Sequence, residues 1–510
     1  MIAHDRATAP ASAGSFRGVA RGGFANLAGA IASAAANLLL IVVVARGLPT
    51  PEAGVVFATT SLFLLAETGA RLGTDTSIVH FIAQASARGR PNDITEYLRL
   101  ALKPVLVVAS AAGAALALAA PAVLTLIVGD TEVPHARALI AVLAAAVPIA
   151  AGYDVVIAAT RGLDTMKPTV VLERLARPAL QAVLVLGAVL AGGGAFAVVC
   201  AFIVPYPFVA ALAVVALRHR IPKPVVDRSV PATADRVDGG RFWRFTLPRA
   251  FAGVLQIALQ RLDILLVGAI RGAAAAAIYT AATRFVVAGQ LGNQAVWYAV
   301  QPRLAGLVAN DELEAARRLY RISTAWIIAL TWPLFLVAAV AAPLILRMLG
   351  RGYHSGGTVM VLLALAMLLS SACGLVDVVL ITVGKTTWNL LDTLLAFVVN
   401  VGVDLLLIPR FGITGAAIGW ALAIVVRNVA ALVQVSSRFG FRPLSRLSVD
   451  VAASAAVAFA AVPGAALIAF GDDSRAIAVA VAAGAAGYAL QLWWMRRRLH
   501  LDFVAGRRLE

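Results

Sequence analysis

The stretch that decides the fold is GGFANLAGAIASAAANLLLIVVVAR, residues 22–46, whose single charged residue is Arg46 at its end. Its length of about 25 residues exceeds the apolar core of a cleavable signal peptide, which has about 7–15. It also exceeds the roughly 20 apolar residues with which a helix crosses the hydrocarbon layer of a bilayer. We therefore expect residues 22–46 to form a first transmembrane helix that remains in the mature protein.

Stretches of this kind recur along the whole chain of 510 residues. Hydrophobic residues make up 61% of the sequence and charged residues 14%, whereas a soluble protein has about 45–50% apolar and about 25% charged residues. Soluble cores cannot absorb this excess, because they stop growing beyond about 250–300 residues. The sequence predicts an all-α polytopic membrane protein, and it excludes a secreted enzyme, a disulfide scaffold and a nucleic-acid binder.

Fourteen transmembrane helices are predicted from the spacing of the apolar blocks. They cover residues 22–46, 52–82, 98–126, 136–160, 168–192, 195–218, 243–270, 277–300, 322–348, 355–383, 386–408, 412–437, 447–470 and 475–495. Most connections are short and contain the turn formers Gly and Pro. The longest polar connection, residues 219–241, has the composition of a flexible linker and lies near the middle of the chain.

Basic residues are distributed unequally over the two sides of this topology. Of the 43 Lys and Arg residues, 32 fall on one side, seven on the other and four well inside helices. Arg174 and Arg177 are counted with a connection of the basic side. Because basic loops resist translocation, this bias predicts an even number of spans with both termini in the cytoplasm. The net charge of +17 therefore reflects membrane topology rather than nucleic-acid binding.

A weak internal repeat divides the chain into two halves. Arg46–Gly47 precedes Arg271–Gly272 by about 225 residues. Both halves begin on the same side of the membrane, so we expect two parallel six-helix lobes related by a pseudo-twofold axis along the membrane normal, with a site between them. The predicted division is a cytoplasmic tail at 1–21, an N-lobe at 22–218, a cytoplasmic linker at 219–241, a C-lobe at 242–438, two further helices at 439–495 and a basic cytoplasmic tail at 496–510.

Four stretches resemble one branch of a known superfamily. Residues 45–83 are similar to the region of its first two helices, residues 262–285 to its seventh and eighth, and residues 301–307 (QPRLAGL) to the segment that follows. The stretch LIPRFGITGAAIGWALA at 407–423 is the most specific, since family members carry a very similar IPxFGixGAA turn between helices eleven and twelve. Over about residues 20–440 the chain thus resembles the polysaccharide (O-antigen) flippase branch of the multidrug/oligosaccharidyl-lipid/polysaccharide (MOP) exporter superfamily.

This resemblance implies a function and a location. Members of the branch move undecaprenyl-diphosphate-linked oligosaccharides across the bacterial cytoplasmic membrane, without ATP, by rocking two lobes. We accordingly expect a flippase for a polyprenyl-diphosphate-linked oligosaccharide or a related cell-envelope polysaccharide precursor. The expected partners are the lipid-linked glycan and membrane lipid, with a glycan polymerase or another envelope-assembly protein as a further candidate. Neither a cofactor nor a metal nor an enzymatic activity is expected.

A substrate of this kind sets requirements on the cavity between the lobes. Its anionic diphosphate must cross about 30 Å of hydrocarbon, and guanidinium suits it, being permanently charged and able to bind oxygens bidentately. A charged side chain at mid-bilayer costs about 2.5–3.5 kcal/mol, so it usually faces a cavity or a partner. The candidate substrate-binding residues are Arg71, Arg261, Arg284 and Arg427.

Two of these arginines differ in the acids that lie near them in sequence. Arg284 has no acid within four residues on its predicted helix, so its anion must come from elsewhere. Glu67, Arg71 and Asp75 are spaced four apart and are expected to share one helical stripe. The two acids either hold Arg71 toward the cavity or neutralise it as part of the structure.

The other two arginines have acids close by or on a neighbouring helix. Arg261 and Asp263 are two residues apart and cannot share a helix face, and Asp263 matches a position of the family. Arg427 either faces the cavity or forms a structural pair with Asp404 or Asp392. Seven buried acids are candidates for ion coupling or for simple counter-ions: Glu67, Asp75, Asp154, Asp263, Asp377, Asp392 and Asp404.

Three other functions remain open. A cation-coupled multidrug (MATE-type) exporter of the same superfamily often has an acid on its first helix, yet residues 22–46 contain none. A lipid II flippase carries several arginines in the cavity of its first lobe, where Arg71 is here the only clearly buried one. A membrane glycosyltransferase needs a sizeable external loop, whereas every predicted connection on the outer side is short.

Overall fold

The computed structural model describes residues 13–127, 134–221, 237–471 and 473–499, and these residues form helices and no strands. Fourteen helical segments follow one another in this part of the chain. They are α1 (Ala13–Gly47), α2 (Thr50–Ala70 and Thr74–Ala87), α3 (Pro91–Leu118 and Ala120–Ile127), α4 (Ala136–Gly162), α5 (Thr169–Ala176 and Arg177–Leu190), α6 (Ala195–Ile203 and Pro205–Arg218), α7 (Gly239–Arg271), α8 (Ala273–Ala288 and Gln290–Ala309), α9 (Leu313–Val340 and Ala342–Arg347), α10 (Arg351–Gly356, Gly357–Ala372 and Val376–Thr382), α11 (Thr386–Phe411), α12 (Ile413–Phe439), α13 (Arg446–Ala456, Val457–Ala461 and Val462–Phe470) and α14 (Ser474–Trp494).

Each predicted transmembrane helix corresponds to one of these segments. Within the described ranges, twelve segments are long and apolar enough to cross a membrane; α5 and α8 do not reach that hydropathy over an unbroken length. Helix α5 changes from a π-helix to an α-helix at Arg177, α8 is interrupted at Gly289, and both carry arginines. The predicted all-α polytopic fold is confirmed.

Helix α2 is broken within the expected stripe of Glu67, Arg71 and Asp75. The helix ends at Ala70 and resumes at Thr74, because Leu72 and Gly73 adopt left-handed backbone angles with φ of 54° and 70°. Glycine tolerates such an angle, whereas the side chain of a residue such as leucine makes it unfavourable. The break interrupts the helical spacing between Arg71 and Asp75, so the predicted continuous stripe is wrong at this point.

The packing of the helices follows the order of the chain. Helices α1 to α6 contact one another, as do α7 to α12, and we call these two groups the N-lobe and the C-lobe. Helices α13 and α14 pack on α9, where the Tyr488 hydroxyl donates to the carbonyl of Ala329 at 3.2 Å. The domain boundaries given above stay a prediction, and most of the predicted linker and of both tails lies outside the described residues.

The two lobes meet near the start of α2 and again along its second half. Arg46 Nε donates to the carbonyl of Met348 at 2.6 Å, and Gly54 lies so close to the carbonyl of Ala273 that a Cβ could not be added. Further along, the rings of His80 and Phe245 stack with centroids 4.9 Å apart. Helix α2 therefore forms much of the surface on which the C-lobe rests, and the space between the lobes lies beside it.

Candidate functional site

A cavity of about 490 Å³ lies between the lobes, and we call it the central cavity. Helices α1, α2, α5 and α6 contribute its N-lobe wall, and α7 and α8 contribute its C-lobe wall. Its polar lining residues are Ser33, Asn37, Thr60, Glu173, Arg174, Arg177, Gln181, Tyr206, Gln260, Arg261, Thr280, Arg284, Gln290 and Gln294. Four arginines and a single carboxylate give this lining an excess of positive charge.

Two of the four arginines come from each lobe, and all four lack an ionic partner. Among the described residues, no carboxylate lies within ion-pair distance of Arg174, Arg177, Arg261 or Arg284. Each has a buried guanidinium nitrogen without a hydrogen-bond partner there: Nε of the first three and Nη2 of Arg284. Because buried charges are normally paired, four guanidinium groups without an ionic partner among the described residues make this cavity a candidate anion-binding site.

A change of helix type in α5 brings the N-lobe arginines to the cavity. Residues Thr169–Ala176 form a π-helix, and Pro178, just beyond it, has no N–H to donate to the carbonyl of residue 174. Short π-helical turns occur frequently at functional sites. Here Glu173, Arg174 and Arg177 all line the central cavity. Arg177 Nη1 also donates to the Tyr206 hydroxyl at 2.8 Å, which fixes the direction of that guanidinium.

Helix α8 is broken beside the C-lobe arginines. Its first half ends at Ala288 and its second half begins at Gln290. Gly289 lies between them, in contact with the ring of Phe335, where any side chain would clash. The break places Arg284 and Gln290 on the wall of the same cavity, although they lie on two different helical pieces.

Arg71, which was predicted to face the cavity, does not line the central cavity. Its guanidinium lies 3.0 Å from Glu67, 3.1 Å from Asp154 and 4.0 Å from Asp75. The Glu67 side chain is only 7% exposed. Of the two alternatives for this cluster, the structure supports the neutralised structural one.

Arg427 is also ion-paired, but with a partner other than the two proposed from sequence. Its Nη2 lies 2.9 Å from Asp377 Oδ2, so the expected pairing with Asp404 or Asp392 is wrong. Asp392 instead accepts a hydrogen bond of 2.8 Å from Gln434. Arg427 and Asp377 line a second cavity of about 410 Å³, which lies in the C-lobe and which we call the C-lobe cavity.

The acids fall into two classes. Glu67, Asp75, Asp154 and Asp377 are counter-ions of arginine. Asp263, Asp392 and Asp404 form no ion pair with a described residue.

Two of the unpaired acids lie on the helices α7 and α11, which pack against each other. Asp263 accepts a hydrogen bond of 2.5 Å from the Tyr279 hydroxyl and one of 2.8 Å from its neighbour's backbone N–H. Asp404 accepts from Asn400 Nδ2 at 3.3 Å, while its Oδ1 is buried and without a partner. Gly419 lies directly against this carboxylate. Among the described residues, Asp263 and Asp404 are therefore buried carboxyl groups without an arginine at ion-pair distance.

Sequence reasoning missed the two N-lobe arginines of the central cavity. Arg174 and Arg177 were assigned to a cytoplasmic connection, although they lie inside the predicted helix 168–192. The signal that could have found them is their position in that helix, directly before Pro178. Arg261 and Arg284, in contrast, were predicted to face the cavity and do line it.

Comparisons with solved structures show which proteins share this fold. The lipid II flippase MurJ, in an inward closed conformation, superposes with a TM-score of 0.71 at 11% identity, covering 92% of this chain and 98% of that one. An inward-facing multidrug resistance MATE transporter of the MOP superfamily gives 0.61 at 15% identity, covering 80% and 94%. A MOP superfamily transporter from Pyrococcus furiosus gives 0.56 at 15% identity, covering 82% and 95%. The fold is that of a MOP-type multi-pass membrane transporter.

The family follows from the sequence itself. A model of the polysaccharide biosynthesis protein family matches residues 19–308, which is more than half of the chain. The chain therefore belongs to the polysaccharide biosynthesis protein family, and the resemblance described from its motifs is confirmed. A search of curated proteins finds no match.

Proposed function

We propose that this protein is a flippase that moves a polyprenyl-diphosphate-linked oligosaccharide, or a related cell-envelope precursor, by alternating access. The observation that carries the proposal is the set of four unpaired arginines, two from each lobe, on the central cavity. Such a substrate needs cationic groups for its diphosphate in a place that hydrocarbon does not reach. Family membership and the likeness to transporters support the same function.

The distribution of the arginines over two lobes suggests how binding is linked to motion. A diphosphate that contacts Arg174 or Arg177 on one lobe and Arg261 or Arg284 on the other stabilises the arrangement in which the lobes approach each other. A ligand shifts a conformational equilibrium by its difference in affinity for the two states. In the absence of the diphosphate, the four like charges repel one another and favour separation of the lobe walls.

Two buried acids are the best candidates for coupling to an ion gradient. Asp263 and Asp404 lie on packed helices of the C-lobe without an arginine partner, unlike the four counter-ion acids. A carboxyl group in such a site exchanges a proton or binds a small cation more readily than one that is already neutralised. Asp392, which accepts a hydrogen bond from Gln434, is a third candidate.

The proposal includes a location and a mode of action. The excess of basic residues on one side supports a bacterial cytoplasmic membrane protein with both termini in the cytoplasm. Its family and the solved relatives of its fold support transport rather than catalysis. A glycan polymerase or another envelope-assembly protein remains a candidate partner.

One observation favours a second candidate, a lipid II flippase. A lipid II flippase is expected to carry several arginines in the first lobe, and Arg174 and Arg177 lie there on the cavity in addition to the partly buried Arg71. The solved lipid II flippase MurJ shares the fold. Lipid II also carries a diphosphate, so the arginines alone do not separate the two functions.

Depletion of the protein in its own host tests the proposal. We expect a lipid-linked oligosaccharide to accumulate in the inner leaflet, measured by mass spectrometry of extracted lipids after labelling of the outer leaflet. Expression of the wild type, or of Arg318→Ala at an exposed position away from the cavity, should reverse it. Accumulation of lipid II instead establishes the second candidate. If no lipid-linked precursor accumulates, the proposed function is wrong.

A further inference from the structure

The C-lobe cavity has a lining of a different chemical kind from that of the central cavity. Six carboxamide side chains face it, from helices α7, α8 and α12: Gln256, Gln260, Gln290, Asn293, Gln294 and Asn428. Three large aromatic residues join them, Trp297, Tyr298 and Trp420. A carboxamide both donates and accepts hydrogen bonds, and Tyr and Trp combine an apolar face with a polar group. This lining is polar without being charged.

The carboxamides are largely available to a ligand. Three of these residues are solvent-accessible and make no hydrogen bond to a described residue: Gln256, Gln260 and Gln294. Asn293 Oδ1 is buried and also lacks a partner there. A buried amide oxygen without a hydrogen bond costs free energy, so a ligand hydroxyl that donates to it is favoured.

Among the described residues that line this cavity, the charged ones are Arg427 and Asp377, and they neutralise each other. Arg427 Nη2 and Asp377 Oδ2 are 2.9 Å apart, and about a quarter of each side chain is exposed. Arg427 is therefore not available as a free cation, in contrast to Arg261 and Arg284 on the neighbouring cavity. An acidic group on a ligand would have to compete with Asp377 for the guanidinium.

The two cavities are adjacent and share part of their lining. Gln260, Gln290 and Gln294 face both of them. Gln290 lies directly after Gly289, where α8 is broken, and Gln294 lies about one turn further along the same half of the helix. One extended ligand can thus place an anionic end on the arginines and an uncharged end among the carboxamides.

We propose that the C-lobe cavity binds uncharged sugar residues, hexoses or N-acetylhexosamines, of the glycan whose diphosphate lies on the four arginines. This inference rests on the proposed function and deepens it by assigning the class of glycan. Sugar hydroxyls exchange hydrogen bonds with the carboxamides, and the C–H face of the ring packs on Trp297, Tyr298 or Trp420. The diphosphate supplies the attraction common to all such lipids, and the sugar supplies the selectivity.

Binding of two lipids to the purified full-length protein in nanodiscs tests this assignment. The probes are undecaprenyl diphosphate and undecaprenyl-diphosphate-linked N-acetylglucosamine. We expect the wild type to bind the sugar-bearing lipid about tenfold more tightly, as two additional hydrogen bonds provide. The variant Gln256→Leu/Tyr298→Leu alters two exposed residues of the C-lobe cavity alone. It should lose this advantage and retain its affinity for undecaprenyl diphosphate.

Two control variants separate this inference from the proposed function. Arg284→Gln should weaken binding of both lipids, and Gln84→Leu, which lies outside both cavities, should change neither. An unaltered preference for the sugar-bearing lipid in Gln256→Leu/Tyr298→Leu overturns the inference and leaves the proposed function intact. If the wild type binds neither lipid, the proposed function itself fails.

A third probe tests the uncharged class directly. Undecaprenyl-diphosphate-linked galacturonic acid places a carboxylate where the N-acetylglucosamine probe has none. We expect the wild type to bind it several-fold more weakly than the uncharged probe, because Asp377 already occupies Arg427. Equal or tighter binding of the acidic lipid would overturn the assignment to uncharged sugars.

Discussion

Arg71 and Arg284 both lie in predicted membrane-spanning helices, but they differ in whether a carboxylate lies close enough to compensate the charge. Arg71 has carboxylates at 3.0 Å and 3.1 Å. Arg284 lines the central cavity with a buried guanidinium nitrogen that has no described partner. Described carboxylates compensate the charge of Arg71, whereas none lies at ion-pair distance from Arg284, and we propose that an anion occupies that place. We therefore propose that compensation of charge, rather than burial, distinguishes the structural arginine from the substrate-binding arginine in this pair.

The largest effect is expected for Arg284→Ala. A charge-assisted hydrogen bond contributes about 1.5–3 kcal/mol, so its loss should weaken binding of undecaprenyl diphosphate about 10- to 100-fold and nearly abolish glycan export. Arg284→Lys should recover only part of the activity, because an ammonium is a point charge and not a planar fork. Lipid binding in nanodiscs and glycan export in cells measure the two effects.

The matched control for this change is Arg318→Ala, an exposed arginine outside both cavities. It should leave membrane level, binding and export at their wild-type values. Full glycan export by the Arg284→Ala variant would show that this arginine does not bind the substrate, and the contrast between Arg71 and Arg284 would then be wrong.

The opposite outcome is expected for Arg71→Met. This change leaves Glu67 and Asp154 close together and uncompensated, which should destabilise the protein by about 3 kcal/mol, at the lower end for a broken buried pair. The variant that also carries Glu67→Gln and Asp154→Asn should regain most of the loss. Thermal unfolding in detergent gives the stability, and binding of undecaprenyl diphosphate by the folded fraction should stay unchanged. If the Arg71→Met variant is stable but binds undecaprenyl diphosphate more weakly, Arg71 is a substrate-binding residue.

A third change concerns the acids that have no arginine. Asp404→Asn keeps the shape of the side chain and removes its charge, so transport in proteoliposomes should lose its response to an imposed proton or sodium gradient, with a several-fold lower rate. Binding of undecaprenyl diphosphate should be unaffected, because Asp404 does not line the central cavity. An undiminished response to both gradients would make Asp404 a structural residue.

The smallest change in stability is expected when the ion pair of Arg427 and Asp377 in the C-lobe cavity is removed. Each of Arg427 and Asp377 is about a quarter exposed, so the pair should contribute only about 1 kcal/mol to stability. The double variant Arg427→Gln/Asp377→Asn should unfold close to the wild-type temperature and should bind the acidic probe lipid no better than the wild type. A strong loss of binding for undecaprenyl diphosphate in this variant would mean that Arg427 belongs with the unpaired arginines.

The fold could be predicted because its determinants lie along the chain. Apolar blocks matched to the thickness of a bilayer mark the helices, and the repeated Arg–Gly pairs at 46–47 and 271–272 mark equivalent positions in the two halves. The break in α2 was missed because it depends on the backbone angles of Leu72 and Gly73. Those angles accompany the close approach of Gly73 to the backbone of α7, which spacing does not reveal.

The site could be predicted only in part, because charge compensation is a tertiary property. Arg284 was identified, since its own helix offers no acid within reach. The partner of Arg427 is Asp377, 50 residues earlier on another helix, and spacing within one helix gives no information about it. Counting basic residues does not distinguish a loop from a water-accessible cavity, so the count places Arg174 and Arg177 in a connection.

The most direct test of the account is the affinity of the purified protein for undecaprenyl diphosphate compared with undecaprenol, which has the same tail without the phosphates. Because arginines of both lobes have no ionic partner among the described residues, we expect at least about tenfold tighter binding of the diphosphate. The variant Arg177→Gln/Arg284→Gln, with one change in each lobe, should bind undecaprenyl diphosphate and undecaprenol with equal affinity. Equal affinity of the wild type for the two lipids would contradict the account.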